Sequence, residues 1–164
     1  MEEWIIGDGG PAIVIQSSVI KKWKGAEGFE NSLMNGGDIE TDYDVICEFE
    51  DGINLIHHYG RDMLVLSDCE WVTSFYQVNP GVVAIVQVFG SDQTLEQIAL
   101  GCFNSSPSLS LSFAMLDKSL RLLVGADSGS GQQYGFSDIH LKPGVKQCDI
   151  YFTDEAQSVI LKDI

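Results

Sequence analysis

At 164 residues, with 45% hydrophobic and 10% aromatic side chains, the chain is long enough for one domain with a sizeable core and too apolar to be disordered in bulk. Its 24 acids against 9 Lys+Arg give a formal charge of −15, which argues against a basic surface for nucleic acid or an anionic membrane, because phosphate contacts need Lys or Arg. No apolar run reaches the roughly 18 residues of a bilayer span, and the opening Met-Glu-Glu-Trp lacks the basic start of a secretory signal, so a cytoplasmic protein is expected.

Pro11–Ile15 predicts a short strand led by proline. Ser17-Ser18 then offers an N-cap to a short helix, with Val19, Ile20 and Trp23 on one face, Lys21, Lys22 and Lys24 on the other, and Gly25 as the stop. From Ala26 to Thr41 the sequence turns to Gly, Asn and acids, which predicts a long, mobile loop. Strand-like runs follow at Val45–Phe49, Ile53–Tyr59, Met63–Leu66 and Val72–Tyr76, separated by turn signals at Asp51-Gly52 and Gly60-Arg61-Asp62, so a meander of hairpins is expected. Asn79-Pro80-Gly81 turns into Val82–Phe89, a long apolar run that reads as a central strand. Ser91 is placed to cap a helix from Gln93 to Leu100, ended by Gly101.

Beyond it, Leu109-x-Leu111-x-Phe113-x-Met115 alternates strictly and predicts a half-buried strand, with Leu120–Val124 as its hairpin partner across Asp117-Lys118-Ser119. Asp127-Ser-Gly-Ser-Gly131 reads as a loop tip, and strands are expected at Phe136–Leu141, Cys148–Phe152 and Ser158–Leu161. The expected fold is therefore α+β and β-rich, with mostly antiparallel sheets and two short helices. We expect a single domain over 1–164, divisible near Gly101–Pro107 into sub-lobes of about 1–101 and 102–164.

Signals for chemistry are sparse. Cys47, Cys69, Cys102 and Cys148 are widely spaced beside apolar residues, as buried reduced thiols are. His57 and His58 are adjacent, so on a strand they point to opposite faces and cannot chelate one ion, and His140 is distant. Asp42-x-Asp44 lacks the glycine and glutamate that complete a calcium loop. There is no G-x-S-x-G elbow and no Cys–His signature, and Gly7-Asp8-Gly9-Gly10 precedes a strand rather than a helix. No catalytic residue, metal site or cofactor is expected; the chain has the polarity of a binding protein.

The acids themselves are distributed unevenly. Between Gly25 and Gly60 stand Glu27, Glu30, Asp38, Glu40, Asp42, Asp44, Glu48, Glu50 and Asp51, with no lysine or arginine among them. A field of one sign is self-repelling and specifies no fold, but it attracts a basic partner and speeds the encounter.

Several segments, in order, resemble immunity protein family 21 of bacterial polymorphic toxin systems. They are Trp4-Ile5-x-x-x-Gly9-Gly10-Pro11 with Ile13-Val14-Ile15, Trp23-x-Gly25, Asp42-Tyr43-Asp44-x-x-Cys47, Leu64-Val-Leu-x-Asp68 and Thr73-x-Phe75. Beyond Gly90 the likeness rests on Leu141-Lys-Pro-Gly144. The resemblance implies a non-enzymatic antidote that binds a cognate toxin domain, in many cases a nuclease with a basic surface. On this reading Asp38, Glu40, Asp42, Asp44, Glu48, Glu50 and Asp51 form the toxin-binding surface, with Tyr43 as aromatic anchor, while Trp4, Gly9, Gly10, Pro11, Trp23 and Gly25 serve the structure. The alternative is a β-rich binding module of carbohydrate or adaptor type.

Overall fold

The computed structural model describes residues 4–6, 10–27, 41–49, 52–67, 72–125 and 136–164. In chain order these form β1 (Ile5–Ile6), β2 (Ala12–Gln16), a single 3-10 turn (Ile20–Lys22), α1 (Asp42–Cys47), β3 (Ile53–His58), β4 (Arg61–Leu66), β5 (Val72–Asn79) and β6 (Val82–Val88). Then come α2 (Leu95–Phe103), β7 (Leu109–Met115), β8 (Ser119–Val124), β9 (Phe136–His140), β10 (Gly144–Phe152) and β11 (Ala156–Asp163). The fold is α+β and β-rich. Six strands make one sheet in the order β1-β5-β6-β11-β10-β7, and five make a second in the order β3-β4-β2-β8-β9. Every pairing is antiparallel. Each sheet takes strands from both sides of Gly101.

The period-2 alternation of a strand explains how these sheets stack. Val14, Leu64, Leu66, Val83, Ile85, Phe113, Leu122 and Val159 point between the sheets and form one continuous core. The alternate residues face outward, yet most are also buried. On the six-stranded sheet Ala84, Val86 and Ile160 lie under Leu95, Ile98, Ala99 and Cys102 of α2. On the five-stranded sheet Ile13, Ile15, Met63 and Val65 lie under Val19, Ile20, Trp23 and Ile46. The molecule therefore has four layers, helix-sheet-sheet-helix, and strands covered on both faces read as continuous apolar runs. That is why β6, the predicted central strand, shows almost no polar residue.

Several expectations need correction. Val45–Phe49 is not a strand: α1 begins at Asp42 because Thr41 and Asp44 form a reciprocal capping box, Thr41 Oγ1 accepting the Asp44 N–H and Asp44 accepting the Thr41 N–H. The meander divides into two hairpins, one in each sheet. In the first, β3–β4, the turn is Tyr59-Gly60, both with positive φ (53° and 74°), as a tight two-residue hairpin requires. In the second, β5 and β6 join at Pro80-Gly81. β7 and β8 do not pair with each other; β7 joins β10 and β8 joins β2 and β9, so the chain crosses between sheets at Leu116–Lys118.

Gln16 clamps that crossing. Its fully buried amide donates to the carbonyls of Asp62 (3.1 Å) and Ala114 (2.9 Å) and accepts from the N–H groups of Leu116 (2.7 Å) and Asp117 (3.2 Å). Ser17 and Ser18 do not cap a helix; the Ser17 hydroxyl bonds Ser119 at the start of β8. α2 is capped by Thr94 rather than Ser91, with Gln97 completing a second capping box, and it runs through Gly101 to Phe103. On the outer face of the six-stranded sheet Asp149 meets Lys162 Nζ at 2.6 Å. Burial pushes its carboxyl up, but Lys162, Ser110 and Gln147 outweigh that and hold it below the ordinary range. Asp163 pairs with the buried Lys146 and is likewise held down.

Candidate functional site

Of the acids singled out for partner binding, Asp42, Asp44 and Glu48 lie in the described structure, all on or beside α1; Asp38, Glu40, Glu50 and Asp51 lie outside the described residues, as does Gly9. Of the loop predicted from Ala26 to Thr41, residues 28–40 also lie outside them. α1 buries Asp42 and Ile46 and turns Asp44, Cys47 and Glu48 outward, the i, i+3, i+4 spacing of one helix face. Cys47 is therefore exposed, not buried as expected, whereas Cys102 and Cys148 are buried thiols and burial pushes Cys148 up to about 12.

Asp42, 8% exposed, is the hub of the site. Its Oδ2 accepts the backbone N–H of Lys24 at 2.6 Å, and both oxygens accept the Tyr59 hydroxyl at 2.8 and 3.0 Å. Oδ1 lies 2.9 Å from His58 Nε2. The His58 ring meets the edge of Trp23 (centroids 6.0 Å apart, 80° between planes) and tilts against Tyr59 at 4.2 Å. Burial, then the bond to Asp42 and its charge, push the Tyr59 phenol up to about 12. The capping partner Asp44 is held below the ordinary carboxylate range by the Thr41 N–H and then the Thr41 hydroxyl.

Four separated stretches meet here. Trp23 is fully buried, and its indole N–H donates to the Gly125 carbonyl at 3.1 Å. Gly25, at φ +56°, presents its carbonyl to the Tyr43 N–H at 3.1 Å. The Tyr43 ring lies so close over Gly10 that a Cβ there would fall 2.7 Å from the phenol oxygen. Pro11 is buried and its carbonyl accepts the Gly125 N–H at 2.7 Å. Trp4, by contrast, packs on the outer face of the other sheet. His58 and Tyr59 were not among the predicted site residues, and nothing in a lone His-Tyr-Gly turn points to them; only the folded hairpin carries them to Asp42.

The remaining candidates stay apart. His57 pairs with Asp62 at 2.9 Å on β3, while His140 is on β9 at the opposite edge of the same sheet. Among the described residues no three His, Cys, Asp or Glu side chains gather as a metal site. Two pockets of about 490 and 480 Å³ lie elsewhere, one beside α2 lined by Ser91, Gln97, Cys102 and Phe152, the other by Lys118, His140, Lys142 and Asp163.

The sequence model of immunity protein 21 matches residues 3–100, a range that includes Gly10-Pro11, Trp23-x-Gly25 and Asp42-Tyr43. The chain belongs to the immunity protein 21 family. No curated protein and no solved structure matches it. The part matching immunity protein 21 contains every residue of the Asp42 hub and its surround except Gly125. It ends within α2, so β7 to β11, which complete both sheets, follow the matched region. Among the described residues, no helix of this immunity protein 21 family member is long and apolar enough to cross a membrane.

Proposed function

We propose that the chain is a non-catalytic immunity protein that acts in the cytoplasm by binding a cognate toxin domain and covering its active site or substrate path. The observation that carries this reading is the immunity protein 21 match over residues 3–100. The acidic stretch between Gly25 and Gly60 supplies the contact surface, with Asp38, Glu40, Asp44, Glu48, Glu50 and Asp51 as its charges, Tyr43 as aromatic anchor, and Asp42 holding α1 in place. A toxin that acts on nucleic acid has a basic face, and such a face is drawn to this stretch with an encounter rate raised roughly 10–10³-fold.

The position of Glu48 supports a role in binding rather than in stability. It stands four residues after Asp44, where like charges repel, and at the C-terminal end of α1, where the helix dipole disfavours an anion. The test is co-purification and growth protection with a toxin domain, sought first in the gene upstream of this one. Affinity is expected to fall with salt, mainly through the association rate. Glu27→Lys with Glu48→Lys, both exposed positions, is expected to weaken protection while leaving the fold intact. A toxin domain that binds with no salt dependence, and is indifferent to these reversals, would show that another face makes the contact.

A further inference from the structure

β7 is the end strand of the six-stranded sheet, and its outer edge is only partly covered. At Ala114 the edge is closed from the other sheet: its N–H donates to Asp62 Oδ2 at 2.7 Å and its carbonyl accepts from Gln16 Nε2 at 2.9 Å. The backbone groups of Ala114 therefore point away from β10. Antiparallel alternation turns the N–H and C=O of Ser112 and Ser110 to that same edge, and among the described residues nothing bonds them there. Sheet edges are ordinarily guarded by lysine, proline or a bulge. β7 has none of these, and no charged side chain occurs between Glu96 and Asp117. Leu109 is 48% exposed, and Leu111, packed against the inter-sheet core, is only partly buried.

We propose that this edge is a homodimer contact, in which β7 of two copies pairs antiparallel about a two-fold axis centred on Leu111 and the two six-stranded sheets become continuous. The strand is its own complement. About that centre Ser110 stands opposite Ser112 of the partner subunit on the outer side, while on the core-facing side Leu111 meets its own copy and Leu109 meets Phe113 of the partner subunit. Charge selects a second copy over a basic partner. β7 itself carries no acid, and the two carboxylates at its margins, Asp62 and Asp149, are already bonded to His57 and Lys162, so for two chains of −15 each close approach here meets little added repulsion.

The experiment is sedimentation equilibrium of the full chain across protein and salt concentration. A dimer that dissociates on dilution and tightens as salt rises is expected, because screening relieves repulsion between copies. Ser112→Pro removes an N–H that faces the edge and leaves the β10 ladder its bonds, so a monomer with unchanged circular dichroism is expected. Leu109→Lys, at an exposed position, is expected to give the same result and decides the matter if the proline variant fails to fold. A wild-type chain that stays monomeric at its highest soluble concentration, or a dimer that survives both substitutions, overturns the proposal.

Discussion

The carboxylate of Asp42 gathers a backbone N–H from Lys24 and an imidazole and a phenol from the β3–β4 hairpin. Asp42→Asn keeps the shape but turns an amide N–H₂ toward these donors; hydrogen bonds to a charged group contribute about 1.5–3 kcal/mol, so a loss of roughly 2 kcal/mol is expected in the urea midpoint. Glu48→Lys has the opposite sign, a gain of a few tenths to about 1 kcal/mol, because it places a cation at the helix C-terminus. The pH profile follows from the same groups. Asp44, Asp149 and Asp163 are held below the ordinary carboxylate range, so their contribution is whole above the unfolded pKa near 4 and is lost as pH falls through the lower folded values. Tyr59 is raised, so its contribution is whole below about 10 and is lost as pH rises through about 12. Chemical denaturation across pH should show both limbs, and Tyr59→Phe should shrink the alkaline one.

Among the elements, α1 shows what was legible in the sequence and what was not. Tyr43, Val45 and Ile46 have strand-forming side chains, and that local preference points to the wrong structure. The deciding signal was nevertheless present as Thr41-x-x-Asp44, a capping spacing that recurs at Thr94-x-x-Gln97. Thr41→Ala is accordingly expected to destabilise by about 1 kcal/mol, read in the thermal midpoint. The strands were readable because each carries an alternation or an apolar run. Their assignment to sheets was not, because the residues that enforce the crossing from β7 to β8 lie far off in sequence, on β2 and β4. Gln16→Leu tests that clamp. It leaves the carbonyls of Asp62 and Ala114 and the N–H groups of Leu116 and Asp117 without their partner, and a loss of roughly 2–4 kcal/mol is expected. Gly125 was equally invisible: a Cβ there would fall 2.2 Å from Ile46 Cδ1 and 2.8 Å from the Pro11 carbonyl, a demand that only the assembled layers make.

At the scale of the whole molecule, net charge divides two associations that salt can separate. Binding of a basic partner weakens as salt rises, whereas pairing of two acidic copies strengthens. The sheets also share one core, to which strands before and after Gly101 both contribute. A single calorimetric transition with equal van't Hoff and measured enthalpies is therefore expected, rather than separate melting of residues 1–101 and 102–164.

The place of β11 bears on when the fold can be completed. Its register runs from Ala156 to Lys162 against β6 on one side and from Gln157 to Asp163 against β10 on the other, so the strand nearest the C-terminus lies in the middle of a sheet. A ribosome extending the chain has made β6 long before β11 arrives to cover its open side. Until then β6 exposes an unpaired apolar edge, and the six-stranded sheet cannot close. Residues 82–88 therefore wait for residues 156–162 before the six-stranded sheet can form.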